Sequence, residues 1–195
     1  MKAPTKKVAD YLQRGRDIAV FAELLGIRFN PGQVRWLKYA AATNNGWEWI
    51  WKQTIHVAAN QIGKTLCVAV LILWACMYKI GVPTDDMQAW FTRPYLWFHL
   101  APTQQQAYHA LSDCRKLIRG SHEAQGDRCM LVLATNDLVK ETKVATYYDG
   151  LEFWNGAICQ FRTTDDKASA LQGYRASGIS VDEAAFEDHL KIVVM

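Results

Sequence analysis

Apolar side chains at Val8, Leu12, Ile18, Phe21, Leu24 and Leu25 recur near the spacing of one helix face, and Gly26 is the residue type that ends helices. The pattern predicts a first helix here. Asn30-Pro31-Gly32 then reads as a turn, and residues 33–42 as a short helix on which Val34, Leu37, Tyr39 and Ala41 partly share a face. Ile55 and Val57 mark a short buried strand over 54–58 that runs into Asn60-Gln61-Ile62-Gly63-Lys64-Thr65, and the apolar run 66–78 has the length of a helix. The unit repeats: a strand at 97–100, a turn at Ala101-Pro102-Thr103 and a helix over 104–119. Two strand-turn-helix units favour a parallel sheet. Between 144 and 163 short runs rich in Val, Tyr, Phe and Trp are punctuated by Asp149-Gly150 and Asn155-Gly156, both hairpin signals, which predicts an antiparallel extension. A last strand, Gly178-Ile179-Ser180-Val181, ends in Asp182-Glu183, and 184–195 reads as helix.

Composition narrows the class without naming a partner. With 195 residues, 50% hydrophobic and 21% charged, the chain has the balance of an ordinary folded domain, which excludes intrinsic disorder and collagen-like repeats. Lys plus Arg is 22 against 19 Asp plus Glu, a net charge of +3, too near balance to mark a nucleic-acid footprint by itself. Cys67, Cys76, Cys114, Cys129 and Cys159 form no C-x-x-C pair, so zinc knuckles and disulfide frameworks are not indicated; free thiols in a reducing cytosol are expected. The basic start runs into Asp10 without the apolar region of a signal peptide. The longest uncharged run, 66–78, is short of the roughly 18 residues of a membrane-spanning helix.

Candidate chemistry begins at the turn before 66–78. A loop from a strand into a helix aims several backbone N–H groups at one point, where the helix N-terminus adds partial positive charge, so phosphate is the natural ligand. Gly63 permits close approach, Lys64 can reach the β and γ phosphates, and the Thr65 hydroxyl can ligate Mg²⁺. The phosphate-loop pattern G-x-x-x-x-G-K-[ST] is incomplete, because Ala58 stands at its first position. Adjacent acids at a strand end are costly unless a cation sits there, so Asp182 is a candidate Mg²⁺ ligand and Glu183 a candidate to polarise water. Asp182 serves equally as a helix N-cap. Gln33 can pair with the N7/N6 edge of adenine, or be a plain helix-start residue. Trp47, Trp49 and Trp51 suggest one apolar strand face, for the core or a subunit contact. His56, His99, His109, His122 and His189 show no ligand spacing.

Taken together, F-N-P-G-Q ending at Gln33, A-A-N-Q-I-G-K-T at 58–65, A-P-T at 101–103, L-Q-G at 171–173 and I-S-V-D-E-A-A at 179–185 resemble the ATPase domain of tailed-bacteriophage terminase large subunits. The resemblance covers about 29–186. It implies an α/β phosphate-loop NTPase of the RecA-like, additional-strand catalytic-glutamate type, with a mainly parallel sheet flanked by helices and an antiparallel hairpin extension. The domain layout expected is therefore an N-terminal helical segment over 1–28, read from its apolar spacing, followed by the ATPase domain over 29–195. The activity implied is Mg²⁺-dependent ATP hydrolysis driving double-stranded viral DNA into a procapsid. Implied partners are that DNA, a small terminase subunit, a portal and further copies in a ring, in the cytoplasm of an infected bacterial host. By position Gln33 matches the adenine-contacting glutamine. Ala58, Ala59, Asn60, Gln61, Ile62, Gly63, Lys64 and Thr65 match the nucleotide-binding loop, Thr65 and Asp182 the Mg²⁺ residues, and Lys64 and Glu183 the catalytic ones.

Two departures stand out. Many family members carry an arginine within the loop where this chain has Asn60, so Arg162 and Arg175 become cis candidates for the missing charge, and Arg115, Arg119 and Arg128 candidates in trans. The sequence also stops 12 residues after Glu183, so the ATPase domain is expected to be C-terminally incomplete and the nuclease domain absent, with nucleotide binding retained and turnover impaired. Two other readings share these residues. One is the first lobe of a superfamily 2 helicase; the other is a catalytically idle nucleotide-binding or assembly module with tryptophans at a protein interface.

Overall fold

The long uncharged run of the sequence becomes the helix around which the rest is arranged. In the computed structural model, residues 4–45, 48–51, 54, 63–82, 87–127, 129–145, 148–163 and 175–182 are described. The elements, in chain order, are α1 (Lys6–Arg14), α2 (Ile18–Leu24), α3 (Pro31–Ala40), α4 (Lys64–Tyr78), α5 (Met87–Thr92), β1 (Tyr95–Ala101), α6 (Gln104–Arg119), β2 (Val139–Ala145), β3 (Tyr148–Phe153), β4 (Ala157–Thr163) and β5 (Gly178–Val181). Ten of the fifteen residues of α4 are buried, from Cys67 to Met77. A helix apolar on nearly all sides must be covered all round. It packs against α2 and α3 as well as α6, β1 and β4.

The five strands form one sheet in the order β2-β3-β4-β1-β5. β1 pairs in parallel with β4 and β5, whereas β2-β3 and β3-β4 are antiparallel, so the fold is α/β with a mixed sheet. A mainly parallel sheet was the expectation, and among the described strands the two kinds of pairing are balanced. The strand expected at 54–58 lies outside the described residues apart from Thr54, as does the helix expected at 184–195. Parallel pairing of β1, β4 and β5 brings three strand C-termini to one edge of the sheet, where ligands of open α/β folds bind.

Several boundaries differ from the sequence expectation for local reasons. The first helix divides at Gly15, because Asp17 accepts from the N–H groups of Ala19 (2.8 Å) and Val20 (3.3 Å) and starts α2 afresh. α4 fixes the break, since the Trp74 indole donates to the carbonyls of Gly15 and Arg16, each at 3.1 Å. The helices of the 1–28 segment thereby join the same core cluster as α4. Gly26 ends this region at φ +86°, as expected. α3 begins at Pro31 rather than residue 33, through a capping box between Asn30 and Gln33.

The hairpin signals divide. Asn155-Gly156 is the turn between β3 and β4, with Gly156 at φ +79° and the buried Asn155 amide donating to the carbonyls of Cys76 and Met77 at the end of α4, each at 2.9 Å. Asp149-Gly150 is no turn: both residues lie within β3, where Gly150 pairs with Thr142 and Gln160. A central strand hydrogen-bonded on both sides overrides the local preference. α5 was not expected. Its last carbonyls, with that of Arg93, accept from the buried Lys79 ammonium: Trp90 at 3.0 Å, Phe91 at 3.1 Å and Arg93 at 2.8 Å. Burial pushes the Lys79 ammonium below the ordinary lysine range, and these carbonyls and the face of Trp90 are its compensation.

All five cysteines are free thiols. Burial raises Cys67 to about 12 and holds Cys114 and Cys159 well above the usual thiol range, so they behave as small core residues. Among the described residues no helix is long and apolar enough to cross a membrane.

Candidate functional site

At the start of α4, Gly63 occupies the left-handed region at φ +77°, ψ +30°, and its position is that of the helix N-cap. An L side chain at such a position is strained, and here it also lacks room: a Cβ on Gly63 would stand 2.9 Å from Nε2 of Gln33. The structure therefore places the Gln33 amide directly beside the Gly63-Lys64-Thr65 turn. Gln33 also has a local duty, since its Oε1 accepts from the Asn30 N–H at 2.9 Å while Asn30 Oδ1 accepts from the Gln33 N–H at 3.0 Å. Gln33→Ala is expected to lose about 1 kcal/mol through the broken capping box. Urea denaturation checks this, and a loss below a few tenths would show that the box contributes nothing.

β5 brings the second half of the site. Trp97 pairs with Gly178, His99 with Ser180 and Leu100 with Val181, and the Asp182 N–H extends the ladder to the Leu100 carbonyl at 2.9 Å. The Ser180 hydroxyl accepts from the Trp97 indole at 3.0 Å and lies 3.0 Å from Nδ1 of His99. These contacts fix β5 laterally, and Asp182 emerges from its C-terminal end on the side of the sheet shared with His99. Burial pushes the His99 imidazole down to about 4, an effect the Asp182 carboxylate only partly offsets.

Thr65 and Asp182, from distant parts of the sequence, line one open cleft of about 380 Å³ together with Gln106, His109 and Asp113. The last three occupy one face of α6, at the spacing that aligns successive helical turns. Thr103 starts that helix through a capping box with Gln106, so A-P-T here ends β1 and caps α6. Asp113 is held from behind: the His122 Nδ1 accepts from the Ala124 N–H at 3.0 Å, which leaves Nε2 facing Asp113 Oδ1 at 3.5 Å. Gln106, His109 and Asp113 were not among the expected site residues. Their period was readable in the helix, but nothing in the sequence set that face against Asp182.

A hydroxyl and a carboxylate oxygen suit a hard cation such as Mg²⁺. Among the described residues no three His, Cys, Asp or Glu side chains converge as a metal cage. A cation at Thr65 and Asp182 would therefore share its shell with water or phosphate oxygens, the usual habit of Mg²⁺.

The two cis arginine candidates do not join this cleft. Arg162 is buried on β4 with its guanidinium 4.9 Å from the Phe98 ring centre. Phe98 alternates with Trp97 and His99, so the guanidinium lies on the opposite face of the sheet from the Ser180–His99 pair. Arg175 is exposed and precedes β5, at the far end of that strand from Asp182, with roughly 13 Å of strand between them. Arg115 and Arg119 pair with Glu141. Ala58, Ala59, Asn60, Gln61 and Ile62, together with Arg128 and Glu183, lie outside the described residues.

The tryptophans separate as well. Trp49 packs on the core against Trp74 and Trp97, Trp51 stacks on Tyr39 at the surface, and Trp47 lies outside the described residues. Compared with known proteins, the chain matches no family model and no curated protein sequence.

Proposed function

We propose that this chain is a Mg²⁺-dependent ATPase domain of the phosphate-loop, additional-strand catalytic-glutamate type, acting as the motor of a viral terminase large subunit that moves double-stranded DNA into a procapsid. The observation that carries the ATPase reading is the meeting of Thr65 and Asp182 in one cleft at the C-terminal edge of the parallel strands. The glycine-led start of α4 adds to it, since the N-terminus of a 15-residue helix offers its first N–H groups and the positive end of its dipole to an anion. The DNA-packaging role rests on the order and spacing of the sequence motifs alone.

In this reading the first turn of α4 and the Lys64 ammonium bind the phosphates, and the Gln33 amide stands over the turn at the adenine side. Thr65 and Asp182 would hold Mg²⁺, which when bound neutralises charge on the β and γ phosphate oxygens. Glu183, the residue after Asp182, would accept a proton from the attacking water.

Calorimetric titration with MgATP and single-turnover hydrolysis test the assignment on parent, Lys64→Ala and Glu183→Gln. Lys64→Ala should weaken binding at least roughly tenfold, as expected for loss of a charge-assisted phosphate contact. Glu183→Gln should keep binding, and any hydrolysis by the parent should vanish in both. A parent that binds no nucleotide, or a Lys64→Ala variant with undiminished affinity, would overturn the reading.

A further inference from the structure

We infer that His109 is the residue of this chain that reads the terminal phosphate, distinguishing ATP from ADP across the cleft; the inference rests on the ATP-site reading above. Arg162 and Arg175 lie away from the cleft, on the other sheet face and at the other end of β5. Among the described residues that line the cleft, Thr65 and Gln106 are neutral and Asp113 and Asp182 are acids, so His109 is the lining side chain able to carry positive charge.

Placement agrees with that role. His109 is solvent-exposed on α6, one helical turn beyond Gln106, so its imidazole can be reached by a ligand without any core rearrangement. The cleft holds Thr65 on one element and Asp182 on another, with α6 as its third wall. A nucleotide whose α and β phosphates rest on the first turn of α4, with a cation at Thr65 and Asp182, has its terminal phosphate in this space. ADP lacks the group that would reach the third wall. Two anchors steady that wall: the side-chain Oε1 of Gln106 accepts from the Thr103 N–H at 3.1 Å, and Asp113 faces His122. An imidazole N–H donating to a phosphate oxygen is a charge-assisted bond, and it exists only while the terminal phosphate is present.

The test compares the affinities of Mg²⁺-ADP and a Mg²⁺-ATP analogue with a non-hydrolysable β,γ bridge, for parent, His109→Ala, His109→Arg and Lys64→Ala. Loss of one charge-assisted bond predicts that His109→Ala weakens the triphosphate roughly tenfold and the diphosphate by less than about twofold. His109→Arg should restore the triphosphate preference, and thermal unfolding should be unchanged in both, because the side chain is exposed. Lys64→Ala should weaken both nucleotides, which reports on the ATP site itself. If His109→Ala leaves the ratio of the two affinities as in the parent, or if His109→Arg loses as much as alanine, the inference fails while the ATP site stands. If the parent binds neither nucleotide, the site reading fails and takes this inference with it.

Discussion

Gly178→Ala is expected to destabilise the protein by about 3 kcal/mol and to lower nucleotide affinity with it. Gly178 opens β5 opposite Trp97, and a Cβ built on it would overlap the six-membered ring of the indole. No backbone angle explains this glycine, since its φ lies outside the positive range; the requirement is space alone. The ring cannot swing aside cheaply, because it is buried, its N–H is tied to Ser180 and it packs against Trp49. Either Trp97 leaves its bond, at about 1 kcal/mol, or β5 shifts away and carries Asp182 off the cleft. Gly126→Ala is the matched control: among the described residues nothing lies within 4 Å of its added Cβ, and it should move stability by less than about 0.5 kcal/mol. Chemical denaturation of the two variants gives the comparison. A Gly178→Ala protein as stable as the control would mean that β5 is not held by this contact. Pairing the change with Trp97→Leu should recover part of the loss, a non-additivity expected of residues in contact.

The second large effect is one of pH. His99 is 1% exposed, with Nδ1 on Ser180 and Nε2 buried with no hydrogen-bond partner among the described residues, so burial holds its pKa down at about 4 against an ordinary 6.5. Between these values the unfolded chain binds a proton that the folded chain refuses. The stability due to a neutral His99 is therefore fully present above pH 6.5 and is lost as pH falls from 6.5 toward 4. The full shift corresponds to roughly 3 kcal/mol. Carboxylates titrate near the lower end of this window, so the informative quantity is the difference between parent and His99→Gln, whose amide takes up no proton between pH 7.5 and 4.5. Unfolding free energies at pH 7.5 and 4.5 should show the parent losing more stability than the variant by most of that amount. Parallel pH profiles would show that His99 takes up its proton as readily in the folded protein.

Much of this arrangement was readable in the chain because the responsible interactions are local. The uncharged run 66–78, the breaks at Asn30-Pro31-Gly32 and Ala101-Pro102-Thr103 and the Asn155-Gly156 turn each mark their element within a few residues, although the two breaks are helix caps where the sequence reads as turns. Other features depend on partners remote in sequence. Asp149-Gly150 has the composition of a turn, yet strands on both sides hold it in β3. Gly178 looks like an ordinary strand start until Trp97 is placed over it, and Lys79 gives no hint of a buried ammonium until the carbonyls of 90, 91 and 93 gather around it. The same division runs through the site. Lys64, Thr65 and Asp182 stand out by motif, whereas Gln106, His109 and Asp113 become visible only when α6 is set against the end of β5. Arg162 shows the converse, a charge that looked available in sequence and is buried against Phe98.

The strand order also says something about assembly in time. β2, β3 and β4 are joined by short connections and can zip locally, whereas the bond between Trp97 and Ser180 closes a separation of 83 positions. Loop closure of that length is entropically slow to reward, and β5 has only four residues with which to hold its place. The β1–β5 seam is thus the natural last step of sheet formation and the first to open. Since Asp182 rides on that seam, the cleft exists only in molecules whose folding has run to its end, and ligand bound across it would act as a latch on the finished sheet.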